Sequence, residues 1–328
     1  MKNLKMIFIL FVFTMVGLTT AQAQRVESDS PLIGTWDLTI TMEKDQLENL
    51  GIFRHGLMAS DGFPGWLEVK LSGLSTLVGY YVGYEGSARP IAEVHYSESE
   101  DKYHFTIPPQ WMDIDDIYFE FTLKDDKLWG YKVLDGNKLK FTGVRAPSLE
   151  RKVPPVWGNP INLLTDNMDR WIIPENNKFE MIDGILVNKE KGGNLITNQK
   201  FNDFKLSIEF RYPEGSNSGI YLRGNYEVQV VDSYGKDLDP HNMGAVYSRI
   251  TPSEAAERQA GEWQSLDITL VDRHVTVILN GKKIVDNQAV DGPTGGAISS
   301  DVFAPGPIYL QGDHGTVAYR NIVLTPVL

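Results

Sequence analysis

The alternation of apolar and polar residues in short runs most limits what this chain can fold into. Segments such as GTWDLTI, WLEVKLSG and HVTVILNGKKIVDN alternate with a period of two, and Gly, Asp, Asn and Pro separate them. Such a period sends successive side chains to opposite faces of a strand. The pattern predicts an all-β protein, with hairpins such as a type I′ turn at Asn280-Gly281. One short helix is predicted, at 253–259, because Ser253 suits its N-cap.

A segment rich in proline and charge, APSLERKVPPVWGNP, interrupts the alternating runs at residues 146–160. Such segments are typical of connections between domains. We therefore predict a small β barrel over residues 30–148, a linker over 149–160 and a β-sandwich over 161–328.

The first 23 residues have the features of a secretory signal peptide. Lys2 and Lys5 precede the apolar run MIFILFVFTMVGL, and small residues follow, ending in Ala21-Gln22-Ala23. We expect cleavage after Ala23 and a periplasmic or secreted protein. A membrane anchor is the less favoured interpretation, because the apolar run is short for a spanning helix.

Composition excludes several classes of function. The chain has no cysteine, so a lipid-modified cysteine, a disulfide framework and a zinc–thiolate site are all excluded. Its formal net charge of -12 disfavours binding to nucleic acid, which needs a basic surface. Neutral ligands such as sugars are compatible with this charge. After the signal peptide we predict no membrane anchor.

A tryptophan and an arginine stand at the two ends of the first predicted domain. Gly34-Thr35-Trp36 opens its first strand and Arg145 closes its last one. In this respect the domain resembles lipocalin-like barrels, in which a Trp on the first strand packs under an Arg near the end of the barrel. The resemblance implies a cation–π contact between Trp36 and Arg145.

The second domain carries motifs over its whole length. They are NLLTDNMDRW, NSGIYLRGNYEVQVVD, AGEWQSLDITLVDRHVTVILNGKKIVD and IYLQGDHGTVAYRNI. In these segments the chain resembles the 3-keto-disaccharide hydrolase domain family, which has the concanavalin A-like sandwich also found in lectins and glucanases. The chain has LQGDHG where the family is expected to have LQDHG, so Gly312 is an extra residue beside Asp313 and His314.

The strand pair at 218–232 carries unusual polarity. Residues i and i+2 of a strand share a face and lie about 6.6 Å apart. Glu227 and Gln229 therefore share one face, while Tyr226, Val228 and Val230 face the core. By the same argument Tyr221 and Arg223 share a face of the preceding strand. We predict that this polar face is the concave, sugar-binding face, which Asp232 joins only through a bulge.

The resemblance implies a sugar already oxidised at C3, which makes the C2 proton acidic and permits elimination of the glycosidic oxygen. We assign catalysis to Glu227, His314 and Arg223, with Glu227 or His314 as the base. Arg223 and Arg320 are candidates to stabilise the enolate. The predicted substrate-binding residues are Tyr221, Gln229, Asp232, Gln311 and Arg320. No cofactor is certain; a divalent metal at Glu227, Asp313 or His314 is an open alternative.

Other interpretations stay open. A non-catalytic, lectin-like protein would use the same fold on a saccharide or keto-saccharide ligand. An ordinary retaining glycosidase needs two carboxyl groups about 5 to 5.5 Å apart, whereas Glu227 and Asp232 would lie about 16 Å apart at Cα in a straight strand. Structural roles are also open, namely an Arg223–Glu227 ion pair and an Arg320 that only fastens the last strand.

Overall fold

The computed structural model describes residues 29–43, 46, 62–84, 86–110, 115–147, 149 and 154–328. The predicted signal peptide, residues 1–23, lies outside the described residues. Every element bounded within these ranges is a β-strand, which confirms the all-β prediction. In the same ranges no helix is both long and apolar enough to traverse a bilayer.

The first eight described strands form a closed antiparallel barrel in which β1 pairs with both β2 and β8. The strands are β1 (Gly34–Thr41), β2 (Phe63–Ser72), β3 (Thr76–Val82), β4 (Arg89–Ser97), β5 (Lys102–Ile107), β6 (Ile117–Lys124), β7 (Lys127–Leu134) and β8 (Asn137–Arg145). Alternate residues such as Trp36 and Leu38 fill the interior. The predicted contact is confirmed: the Arg145 guanidinium lies 3.8 Å from the centre of the Trp36 ring.

The remaining described strands form two sheets. They are β9 (Ile161–Asn162), β10 (Trp171–Ile172), β11 (Phe179–Ile182), β12 (Ile185–Asn188), β13 (Leu195–Thr197), β14 (Phe204–Arg211), β15 (Asn217–Leu222), β16 (Tyr226–Val231), β17 (Gln264–Val271), β18 (His274–Leu279), β19 (Lys282–Ala289), β20 (Tyr309–Leu310) and β21 (Val317–Pro326). One sheet has the order β10-β13-β20-β15-β16. The other has the order β11-β12-β21-β14-β17-β18-β19, with β9 beside β21.

The core of this second domain lies between the two sheets, as a sandwich requires. Side chains of β16 such as Val228 meet those of β14 and β17, such as Phe210 and Ile268, in one buried cluster. The predicted Asn280-Gly281 turn is confirmed, because both residues have positive φ, 50° and 81°, as type I′ requires.

The predicted helix at 253–259 is wrong, because no helical residue is found there. Its backbone amides are bound elsewhere: Ser253 donates to the Ile284 carbonyl and Arg258 to Oε1 of Gln264. These long-range partners replace the local hydrogen bonds that a helix would need.

The outer wall of the barrel packs against the sandwich. Trp66 of β2 is buried although it faces outward, and it lies under the guanidinium of Arg249 at 4.0 Å. Its cross-strand neighbour Asp37 is buried as well. The loop between β3 and β4 makes further hydrogen bonds to the sandwich, described below, so the two domains share a polar interface.

Candidate functional site

The candidate site is built on the five-stranded sheet, on the face that points away from the sandwich core. Strand pairing aligns four side chains in one row across four strands: Ile196 opposite Tyr309, Tyr309 opposite Tyr221, and Tyr221 opposite Glu227. The rings of Tyr221 and Tyr309 stack with centroids 4.2 Å apart and an interplanar angle of 10°. The row therefore ends in a carboxyl group beside two stacked phenols.

The alternation predicted for β16 is confirmed. Tyr226, Val228 and Val230 belong to the main core, while Glu227 points to the opposite face. Gly219 lies directly beneath that carboxyl group, because a Cβ atom built there would approach Glu227 Oε1 to 2.1 Å. Only glycine leaves room for the Glu227 side chain in this position.

A segment preceding β20 covers the row. The Thr294 hydroxyl accepts a hydrogen bond of 2.9 Å from the Glu227 amide, and the Gly295 carbonyl lies 3.0 Å from the Tyr221 hydroxyl. Gly296 has a φ of 78° and passes close above the Tyr221 hydroxyl. As a result Glu227 is only 4% exposed and Tyr221 only 2%.

Burial controls the electrostatics of the site. The pKa of Glu227 is raised to about 8, chiefly by burial; the hydrogen bond with Tyr221 at 2.9 Å opposes the shift and the charge of Asp313 adds to it. Burial likewise raises the pKa of Tyr221 and of Tyr309 well above the ordinary value. Glu227 is therefore protonated at neutral pH and can act there as a proton donor.

Asp313 and His314 lie in the loop between β20 and β21. His314 Nδ1 lies 2.5 Å from Asp313 Oδ1, and the His314 side chain is half exposed. The pair follows Gln311, whose amide donates to the carbonyl of Gly219 beneath Glu227, and the charge of Asp313 contributes to raising the pKa values of Glu227, Tyr221 and Tyr309. Because Nδ1 is directed at a carboxylate, Nε2 is the ring nitrogen that can take a proton from a substrate.

The extra Gly312 fits this arrangement. Its amide donates to Asn194 Oδ1 at 2.7 Å, and its carbonyl accepts from Asn188 Nδ2. A Cβ atom on Gly312 would lie 2.3 Å from the Gly193 carbonyl oxygen. The insertion is thus held in a close backbone contact that fixes the start of the Asp313–His314 loop.

Arg223 lies elsewhere than the sequence indicated. With a φ of 54° it stands in the β15–β16 turn, not on the face of Tyr221. Its guanidinium donates to the carbonyls of Val302 and Ala304. Among the described contacts none joins Arg223 to Glu227, so neither the expected convergence nor a cross-strand ion pair is formed. The left-handed turn breaks the alternation on which the expectation depended.

Arg320 is also outside this face. It lies on β21 of the other sheet, where Nε donates to Glu209 Oε2 at 2.5 Å and the guanidinium stacks over Trp263 at 4.0 Å. These contacts fasten the last strand to β14, the structural alternative that the sequence left open.

The other three predicted binding residues differ in position. Gln229 and Gln311 lie on either side of Gly219. Gln229 is its partner in the β15–β16 pairing, and the Gln311 amide donates to the Gly219 carbonyl. Oε1 of the buried Gln311 has no hydrogen-bond partner among the described residues. The Asp232 carboxylate instead accepts from the Gly215 amide at 2.8 Å, beyond the end of β16. This hydrogen bond holds the turn at Gly215, so the Asp232 carboxylate is directed to that turn and not to Glu227.

Within the described part of the chain, no three His, Asp or Glu side chains are grouped as metal ligands. Sequence reasoning missed Tyr309 and Asn194, whose Nδ2 donates to the Tyr309 hydroxyl at 2.8 Å. The alternation of Tyr309 with Gln311 could have revealed Tyr309. Nothing local indicated Asn194, Thr294 or Gly295.

The closed barrel and the two-sheet sandwich with its buried polar row define a two-domain β protein. The family model of the 3-keto-alpha-glucoside-1,2-lyase-like domain matches residues 160–325, half of the chain. The chain therefore belongs to this glycosyl hydrolase-like family. The match covers the sandwich and not the barrel.

Solved structures give further comparisons. One candidate glycosyl hydrolase from Parabacteroides distasonis is 30% identical, with a TM-score of 0.44, and the match covers 54% of this chain and 93% of that chain. A second from the same organism is 23% identical, with a TM-score of 0.43 and coverage of 51% and 98%. A comparison with curated proteins finds no match.

Proposed function

We propose that this protein cleaves the glycosidic bond of 3-keto-glycosides by elimination, with later addition of water completing a hydrolysis. The observation that carries the proposal is a buried, protonated Glu227 on the sheet whose strand β20 leads into the hydrogen-bonded Asp313–His314 pair. An acid and a separate base are what such an elimination requires. The 3-keto substrate class comes from the family to which the chain belongs.

In the proposed reaction His314 Nε2 removes the C2 proton, and the electron pair of the C2–H bond forms an enolate with the C3 oxygen. The pair then returns to form a C1–C2 double bond, the C1–O bond breaks, and the leaving oxygen takes the proton of Glu227. Addition of water across the double bond, with OH to C1 and H to C2, gives the hydrolysis products. These steps use only side chains of this chain.

Tyr309 replaces the arginines as the candidate group that stabilises the enolate. Its hydroxyl oxygen accepts from Asn194 Nδ2, so its own proton is free to be donated into the site. A hydrogen bond to a developing oxyanion in a buried site is a strong stabilising interaction. Gln311 Oε1, which is buried without a described partner, is the candidate acceptor for a sugar hydroxyl.

Two alternatives are less well supported. A lectin-like site would present exposed aromatic rings for stacking, whereas Tyr221 and Tyr309 are each 2% exposed. An ordinary retaining glycosidase needs an ionised nucleophile as well as an acid, and Asp313, the carboxyl group whose charge acts on Glu227, is hydrogen-bonded to His314. The leader-like residues 1–23 support the further proposal that the enzyme acts in the periplasm or outside the cell.

The test offers a 3-keto-glucoside and its unoxidised parent to the full chain, to a Glu227→Gln variant and to a Glu254→Gln control. Glu254 is an exposed glutamate that pairs with Lys282. We expect turnover of the keto sugar alone and a loss of about 100-fold or more in Glu227→Gln, with the control unchanged. Turnover of the parent alone would refute the mechanism, and a fully active Glu227→Gln would remove Glu227 from it.

A further inference from the structure

The described residues of the loop between β3 and β4 of the barrel, 83–84 and 86–88, reach the candidate site. The Tyr84 carbonyl accepts a 2.6 Å hydrogen bond from the Gly296 amide. A Cβ atom on Gly295 would lie 2.3 Å from the Gly86 carbonyl oxygen. The barrel loop is therefore in direct backbone contact with the segment that covers Tyr221 and Glu227.

A second group of contacts anchors the same loop. Ser87 Oγ lies 2.8 Å from His241 Nε2 and 3.2 Å from the Tyr247 hydroxyl, while the Ala88 amide donates to Ser248 Oγ at 2.7 Å. The Tyr247 amide in turn donates a hydrogen bond to the Glu227 carbonyl. The loop thus touches both neighbours of Glu227, the covering segment and the segment beside β16.

Asp239, His241 and Ser87 are arranged in the order of a serine hydrolase triad, since His241 Nδ1 lies 2.6 Å from Asp239 Oδ1. Ser87, however, is 5% exposed, and its amide donates to Gln110 Oε1. The next amide is occupied by Ser248. With both neighbouring amides bound, the serine lacks the pair of donors that an oxyanion requires, so this group is an anchor.

The covering segment determines how protons are shared at the site. The Tyr221 hydroxyl has a single proton but two partners, the Gly295 carbonyl at 3.0 Å and Glu227 Oε2 at 2.9 Å. A carbonyl can only accept. When Tyr221 donates to Gly295, its contact with Glu227 is satisfied only if the carboxyl group donates. The position of the Gly295 carbonyl therefore selects the protonated form of Glu227.

We propose that the N-terminal barrel is a positioning element of the catalytic site: its β3–β4 loop holds the Gly295 carbonyl against Tyr221 and so keeps Glu227 in the proton-donating form. Without this contact Tyr221 would donate to an ionised Glu227, and water would enter beside the carboxylate. The loop belongs to the barrel, which the family match does not cover. The proposal thus gives the additional domain a role in the sandwich site.

Other groups also affect the pKa of Glu227, and none of them is changed in the variants tested below. Asp313, in the loop after β20, raises the pKa of Glu227, and Tyr221 lowers that pKa only when it donates its proton to the carboxylate instead of to the Gly295 carbonyl. The charge of Glu227 is in turn felt by three further phenols, those of Tyr247, Tyr309 and Tyr319. No described lysine or arginine pairs with Glu227, so the loop and its covering segment are the variable part.

The experiment measures the proton on Glu227 directly in the full chain. Infrared spectra record the C=O band of a protonated carboxyl group over a pH series, and Glu227→Gln identifies which band belongs to Glu227. Two variants loosen the loop: Ser87→Ala removes the hydroxyl contacts to His241 and Tyr247, and Gly295→Ala introduces a Cβ atom against Gly86. The control is Ser97→Ala, a barrel serine whose exposed hydroxyl contacts only Ser99 at 3.3 Å in the described hydrogen bonds.

We expect the titration midpoint of the Glu227 band to fall by about one pH unit or more in both loop variants, with Ser97→Ala unchanged. An unmoved midpoint in Ser87→Ala and Gly295→Ala would overturn the proposal, as would the absence of a Glu227 band at neutral pH in the unaltered protein. Ser87→Ala alone suffices if Gly295→Ala does not fold. The inference rests on the proposed function only for its catalytic meaning, because the spectra need no substrate. Failure of keto-sugar turnover would leave the midpoint result intact.

Discussion

The Tyr221 hydroxyl lies 2.9 Å from Glu227 Oε2, directly across the β15–β16 ladder. The two side chains are joined in one hydrogen bond, and both are buried. Strand pairing places the two side chains opposite each other. The hydrogen bond between them can be donated either by the phenol or by the protonated carboxyl group, so the protonation state of Glu227 depends on Tyr221.

The pH dependence of turnover tests the assignment of Glu227 as the acid. Its pKa of about 8 means that the proton is present below pH 8 and is lost above it. We therefore expect kcat/KM on a 3-keto-glucoside to fall above pH 8, about tenfold per pH unit. A rate that instead rises through pH 8 would make ionised Glu227 the base.

Gly219→Ala tests the space beneath the carboxyl group. The new Cβ atom would lie 2.1 Å from Glu227 Oε1, so the carboxyl group must leave its position. We expect a loss of about 100-fold or more in turnover and about 1 to 3 kcal/mol in the free energy of unfolding. Enzyme assays and denaturant titration measure the two effects.

The matched control is Gly158→Ala, where the nearest atom is the flexible Leu328 Cδ2 at 3.0 Å. It should retain both activity and stability. Full activity in Gly219→Ala would show that the observed carboxyl position is not needed for the reaction.

Asp37 should make stability depend on pH at the domain interface. Burial raises its pKa to about 6, with Arg273 and Arg249 opposing the shift and Asp291 adding to it. Neither of its oxygens has a hydrogen-bond partner among the described residues. Because the folded state holds this proton more tightly, its contribution to stability is complete below pH 4 and is lost as the pH rises to 6.

We expect Asp37→Asn to remove this loss, which amounts to about 3 kcal/mol at most. The free energy of unfolding, measured between pH 4 and pH 7, should then fall less steeply in the variant than in the unaltered protein. Asp286→Asn, at an exposed position paired with Lys283, is the control. Parallel curves for Asp37→Asn and the unaltered protein would contradict the prediction.

Arg145 should stabilise the barrel through its contact with Trp36. The guanidinium stacks at 3.8 Å over this buried ring and donates to the carbonyls of Pro31 and Ile33. We expect Arg145→Ala to lower the free energy of unfolding by about 1 to 3 kcal/mol. Denaturant titration followed by Trp fluorescence measures the change.

Arg211→Ala is the comparison, because Arg211 lies at 5.0 Å from the Trp263 ring. Its effect should be smaller. Equal effects of the two substitutions would show that the Trp36 contact adds nothing to ordinary surface stacking.

The alternation of residues predicted the face of a side chain correctly wherever the backbone was a regular strand. The alternation in β16 correctly placed Glu227 on one face and Val228 in the core. It failed for Arg223 because a turn residue with φ of 54° no longer obeys the strand period. It also failed for Arg320, since periodicity does not say to which of two sheets a strand belongs.

The sequence by itself determined the all-β class, the strand faces and the Trp36–Arg145 contact, because each follows from a period of two or from a motif. Only the tertiary structure decided the state of Glu227. Its burial comes from Thr294, from Gly295 and from the barrel loop that holds them, all distant along the chain. Desolvation depends on what covers a group, and no local pattern in a strand encodes its cover.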